Sequence, residues 1–133
     1  MKTKAVVATV LRFIAAVLLL QTLYFKFTAH EESVWIFTRL GMEPWGRVGT
    51  GVLELIAAIL LLNGRTAIWG ATLALGLMAG AIFFHLTKLG INVSGDPLLF
   101  IYAVTVFLAS VILLLIYRAR ILQLLGIRQT HAV

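Results

Sequence analysis

Gly46–Leu62, GRVGTGVLELIAAILLL, decides how the rest of the chain is read. The stretch is an apolar helix long enough to be a membrane-span candidate. It holds a single carboxylate, Glu54, near its middle. On a helix, Arg47, Gly51 and Glu54 share one face, with Thr50 beside them. At about 1.5 Å per residue, Glu54 lies roughly 12 Å below Gly46. If the segment crosses a bilayer, that carboxylate sits where charge is most costly. It then marks a functional site with a polar partner to be found.

The flanking sequence makes a bilayer the only consistent solvent. The chain has 133 residues, 62% of them hydrophobic and 12% charged. A soluble domain of this size has too much surface for its volume to hide so much apolar area. No cysteine is present, which removes thiolate catalysis, disulfide relays and iron–sulfur ligation by this chain alone. The net charge of +6 is spread over short segments beside apolar runs, as orientation signals are, and this argues against nucleic acid as a partner. The first apolar run has no small-residue cleavage site after it and reads as a retained span.

Working outward, the sequence predicts an all-α integral membrane protein: a four-helix antiparallel bundle with a short interfacial helix between spans 1 and 2. The expected spans are 5–27, 46–62, 67–88 and 97–117, in a single membrane domain covering residues 1–133. TAHEESVWIFTRLGMEP, residues 28–44, holds a helix over 31–40. Its acidic start suits the helix dipole, Gly41 stops it, and Pro44 prevents continuation. Val34, Phe37 and Leu40 recur every three residues, with Trp35 and Trp45 nearby as an aromatic belt at headgroup level. Asn63-Gly64-Arg65 forms one turn and GINVSGDP, residues 90–97, another. Asp96 caps the last span and Pro97 sits at its first position. The tail 118–133 lies along the surface.

Charge sets the orientation. One side collects Lys2, Lys4, Arg65, Arg118, Arg120 and Arg128 with no acidic residue. The other holds Lys26, Arg39, Arg47 and Lys88 together with Glu31, Glu32, Glu43 and Asp96. The positive-inside bias then places both termini and the tail in the cytoplasm, with the interfacial helix on the outer side of a bacterial inner membrane.

Placed by depth, the intramembrane polar residues gather in the outer half. Glu54 and His85 are the expected core of a polar pocket there, with Gln21 and Tyr102 beside them and Lys26, Arg47 and Lys88 at its outer boundary. Ala74, Met78, Ala81, His85 and Lys88 share one face of the third span, and Tyr102, Thr105 and Ala109 one stripe of the fourth. Gln21 lies with Tyr24 on the first span. Lys26 points elsewhere, so Gln21 and Lys26 are not expected to face the same site. Arg12 is read as an anchor that snorkels toward the basic leader. Gly76 and Gly80 form a GxxxG on the face opposite His85, read as helix packing within the chain. A carboxylate alone in hydrocarbon favours its neutral form, and a basic neighbour keeps it charged. A Glu54–His85 pair could carry a proton, bind a polar headgroup, hydrogen-bond a quinone carbonyl, or only lock two helices together. There is no P-loop, no dinucleotide glycine fingerprint and no HExxH, and one intramembrane His supports no metal site. No catalytic residue set is assigned.

In this order the pieces resemble the DoxX-like family of small four-span membrane proteins. They are YFKF with Lys26, Trp45-Gly46-Arg47, GVLELIAAILLL with Glu54, and GLMAGAIFFHLTKLGI with His85 and Lys88. The resemblance implies the four-span fold. It also implies association with redox complexes, including a thiosulfate:quinone oxidoreductase, and among eukaryotic relatives chaperone-like roles. Dithiol chemistry does not transfer to a chain without cysteine.

Three functions stand open at this point. One is a redox-associated subunit that binds a quinone or another amphipathic ligand in the outer-half pocket. The second is a non-enzymatic accessory or chaperone protein whose polar cluster is structural and whose partner is another membrane subunit. The third is a small transporter or proton path, for which no inverted repeat or broken helix is visible and which would call for a homo-oligomer.

Overall fold

Inside hydrocarbon every backbone amide and carbonyl must find its partner within the protein, and each apolar stretch meets that demand by coiling on itself. The computed structural model describes residues 2–93 and 95–126. The expectations for Arg128 and the end of the tail fall outside these residues. The elements are α1 (Lys2–Phe27), α2 (Glu31–Arg39), α3 (Trp45–Leu62), α4 (Ala67–Phe84), α5 (Leu98–Ile116) and α6 (Arg118–Leu124). A π-helical turn, His85–Leu89, extends α4 without a break in direction. Among the described residues there is no strand. Four helices, α1, α3, α4 with its π turn, and α5, are long and apolar enough to cross a membrane. The chain is an all-α integral membrane four-helix bundle.

The helices form a closed ring in which α1 neighbours α3, α3 neighbours α4, α4 neighbours α5, and α5 returns to α1. Two arginines establish the antiparallel direction of the first pair. Arg12, in the first half of α1, donates from Nε to the Leu61 carbonyl at 2.7 Å and from Nη2 to the Leu62 carbonyl at 2.8 Å. Arg47, near the start of α3, donates from Nη1 to the Lys26 carbonyl at the end of α1. Each helix therefore caps the other's C-terminal carbonyls, which have no partner within their own helix. The Arg12 guanidinium is held by the two carbonyls at the C-terminal end of α3, on the side of the bundle where α1 begins.

The bundle has two unlike halves. Away from α2 it is closely packed. Ala15, Ala16, Ala57, Ala58, Ala71 and Ala74 are fully buried, interleaved with Leu19, Leu61 and Leu113. Small side chains let the backbones approach, which is how helices associate when lipid removes the hydrophobic drive between them. The closest approach is at Gly70 of α4, where a methyl group would sit 2.7 Å from the Leu61 amide nitrogen and 3.0 Å from the Ala57 carbonyl oxygen. Only glycine fits there. The other half, on the α2 side, is hollow.

α2 lies across that hollow half. It ends in a Schellman turn: Gly41 takes φ +74°, its amide donates to the Thr38 carbonyl at 3.0 Å, and the Met42 amide donates to Phe37 at 2.8 Å. At the start, the Glu32 amide donates to His30 Nδ1. Ser33 and Phe37 are the buried residues of α2, while Trp35 stays exposed with the Arg39 guanidinium 5.9 Å from its ring centre. Arg39 Nε also donates to the Lys88 carbonyl at 3.0 Å, fastening α2 to the π turn. At the next turn, Asp96 Oδ1 accepts from the Leu98 amide at 2.9 Å, and α5 begins at Leu98, one residue after Pro97.

Candidate functional site

Beneath α2 the ring encloses a cavity of about 480 Å³. All four spans contribute to its wall. Stripes at helical spacing come from α1 (Leu18, Gln21, Thr22, Phe25), α4 (Leu77, Gly80, Ala81, Phe84) and α5 (Leu99, Tyr102, Ala103, Val106). α3 adds Thr50 and Glu54, and α2 closes the top with Ser33, Ile36, Phe37 and Leu40. The wall is largely apolar, with a few convergent polar groups, and the volume falls in the range of about 300–1,000 Å³ usual for small-molecule sites.

Glu54 is 4% exposed. Its Oε1 accepts from Lys26 Nζ at 2.5 Å and its Oε2 from Thr22 Oγ1 at 3.1 Å. Thr22 and Lys26 are one helical turn apart on α1, so both reach the same carboxylate. Through its backbone, Lys26 joins a second ion pair: Arg47 binds the Lys26 carbonyl and donates from Nε to both oxygens of Glu43, at 2.9 and 3.1 Å. The result is a continuous polar chain, Thr22–Glu54–Lys26–Arg47–Glu43, along the α1–α3 seam. Among the described residues no buried side-chain nitrogen or oxygen lacks a hydrogen-bond partner.

This corrects the expected pairing. Glu54 makes no hydrogen bond to His85. Its partners come from α1: α4 also packs on α3, but His85 bonds the Gly90 carbonyl, while Thr22 and Lys26 reach Glu54 and Lys26 turns into the bundle instead of away from it. Gln21 and Lys26 both line the cavity. The helical angle between them separates their starting directions, yet the long lysine stem and the width of the cavity accommodate both.

His85 is 6% exposed and lines the cavity from the opposite wall. Its Nδ1 lies 2.9 Å from the Gly90 carbonyl oxygen, and the Phe100 ring meets it edge-on at 5.6 Å. The π turn makes this possible. Gly90, the residue that ends the π turn at φ +80°, presents its carbonyl to the histidine five residues earlier. π turns inside α-helices concentrate at functional sites.

The remaining expected site residues divide. Tyr102 lines the cavity and is half-buried. Arg47 and Lys88 do not line it: Arg47 is buried in the seam behind Glu54, and Lys88 is exposed on the π turn. Gly76 and Gly80 are also corrected. Both line the same cavity as His85, and a methyl group on either would meet nothing within 4 Å, so they are not pressed against a neighbouring helix. Two further participants went unread in the sequence. Thr22 had a signal in its one-turn spacing from Lys26. The roof formed by α2 was read only as an interfacial segment.

A model of the DoxX-like family matches residues 9–114. That range runs from the first turns of α1 almost to the end of α5, so it takes in the whole ring and the cavity wall. The chain belongs to the DoxX-like family. No curated protein and no solved structure matches it. Membership accords with the four spans of this DoxX-like protein and with its lipid environment.

Proposed function

We propose that this DoxX-like protein is a membrane subunit that binds an amphipathic small molecule of the quinone class in the cavity beneath α2. The carrying observation is the cavity itself: about 480 Å³, apolar over most of its wall, with Gln21, Thr22, Lys26, Glu54, His85 and Tyr102 gathered on it. An apolar wall suits a ring and the start of an isoprenoid tail, and the few polar groups fix the orientation of the head. Lys26 Nζ keeps donors beyond the one given to Glu54, and the Tyr102 hydroxyl offers another, so a ring carbonyl has groups to meet. Arg47 and Lys88 serve the site from outside, as seam and rim. The charge distribution supports an orientation in a bacterial inner membrane with α2 on the outer side and both termini in the cytoplasm.

A photoactivatable quinone analogue, applied to the purified chain in lipid nanodiscs, tests this reading. Labelling is expected on residues of the cavity wall. It is expected to fall with Gly80→Leu, which fills open space without touching a polar group, and with Glu54→Gln. Labelling that is absent, or that Gly80→Leu leaves unchanged, refutes it.

One observation favours a second reading. The polar chain along the α1–α3 seam is internally satisfied, as glue between helices would be. On that reading the protein is an accessory or chaperone-like subunit, and α2, with Trp35 exposed, is its docking surface. Crosslinking from Trp35 to one reproducible membrane partner, with no labelling of the cavity, is the result that selects it.

A further inference from the structure

We infer that the cavity's occupant presents an aromatic hydroxyl hydrogen to His85, so that the site selects the reduced, hydroquinone-like form of its ligand over the quinone. The inference rests on the ligand-binding reading above and adds the chemistry of the bound head.

It begins with one hydrogen bond. The Gly90 carbonyl oxygen can only accept, so the proton between it and His85, at 2.9 Å, belongs to Nδ1. In the neutral imidazole, a hydrogen on Nδ1 leaves Nε2 as a lone-pair acceptor. Among the described residues, the ring's one hydrogen bond is the one at Nδ1, and the ring lines the cavity. In its neutral form the ring therefore offers Nε2 as an acceptor to whatever enters. A quinone carbonyl is also only an acceptor and gives this nitrogen nothing, whereas a ring hydroxyl donates to it.

The geometry keeps this assignment from relaxing. His85 cannot swap tautomer without breaking its bond to Gly90, whose carbonyl is set by the π turn and the positive φ of Gly90. Phe100 holds the ring edge-on from α5. The cavity also suits a flat head over an aliphatic alcohol, because Phe25, Phe37 and Phe84 line it from three different helices and provide ring faces and edges for stacking. Lys26 and Tyr102 supply donors elsewhere in the cavity, so a head with one hydroxyl on His85 and an oxygen toward Lys26 satisfies both.

The test is competition against the photolabel in nanodiscs under anaerobic conditions. Four probes are compared: a short-tailed hydroquinone, its quinone, its dimethyl ether, and an aliphatic alcohol of matched length. The hydroquinone is expected to compete roughly ten-fold better than the ether and the quinone. His85→Ala should erase that preference, and His85→Gln, whose amide oxygen can accept, should keep part of it. Equal competition by hydroquinone, quinone and ether in the native chain overturns the inference while leaving the binding site intact, and that comparison needs no variant to fold. A preference that survives His85→Ala overturns it as well. An alcohol that matches the hydroquinone overturns the aromatic part. Failure of all four probes, together with absent labelling, removes the binding reading itself.

Discussion

Lys26→Met isolates the most consequential interaction in the bundle. Glu54 has two side-chain partners, Lys26 at 2.5 Å and Thr22 at 3.1 Å, and the paired side chains are only 16% and 5% exposed. Removing the ammonium leaves a buried carboxylate with one hydroxyl. That hydroxyl is already committed in part, because Thr22 Oγ1 also donates to the Leu19 carbonyl at 2.8 Å and has one hydrogen to give. Breaking a buried pair from one side costs about 3–5 kcal/mol. Thr22→Val, by contrast, removes a shared hydrogen bond and should cost about 0.5–1.5 kcal/mol. Replacing both charges, Lys26→Met with Glu54→Met, leaves no orphan and should return stability to within about 1 kcal/mol of the native chain or above it. Unfolding in mixed micelles with increasing SDS, followed by circular dichroism, measures all four proteins on one scale. The reasoning fails if Lys26→Met is as mild as Thr22→Val. It also fails if the double variant is as damaged as the single one, since the cost would then come from packing and not from an uncompensated charge.

Two glycines on the same helix should behave in opposite ways. Gly70→Ala puts a methyl group against backbone atoms of α3 that cannot turn aside and should destabilise by about 1–3 kcal/mol. Gly80→Ala enters open space and should be neutral or stabilising by up to about 1 kcal/mol through helix propensity; thermal melting in detergent compares them. Arg12→Met loses two hydrogen bonds to the α3 terminus and should cost about 1–3 kcal/mol in the same melts. Arg12→Lys should recover little of it, because one ammonium does not reproduce a planar fork across Leu61 and Leu62.

The fold class was legible because hydropathy and loop charge are local properties, and a bilayer leaves only helices as an answer. The partner of Glu54 was not. Helical phase tells which residues of one helix lie together, but the face that meets Glu54 depends on the order of helices around the ring. Both α1 and α4 lie beside α3, and it is the Thr22–Lys26 face of α1 that reaches Glu54. Measured against Gln21 and Tyr24, Lys26 appeared to point away. The cavity was hidden for a different reason. It is a sum of absences at Gly76, Gly80, Ala81 and Ala103, and no single small residue announces a void. The π turn left no trace in HLTKL, since the insertion that makes it is a matter of hydrogen-bond register and not of residue type.

The two reciprocal arginine caps make α1 and α3 interdependent. α1 precedes α3 in the chain and carries Arg12 and Lys26, each of which needs a polar partner where it meets the apolar bundle. The Leu61 and Leu62 carbonyls that receive Arg12 and the carboxylate that receives Lys26 are all on α3, which arrives afterwards with its own Arg47 in need of the Lys26 carbonyl. Neither helix satisfies these polar groups by itself; the α1–α3 pair does. The later helices α4 and α5 carry no charged side chain and make no such demand on a partner.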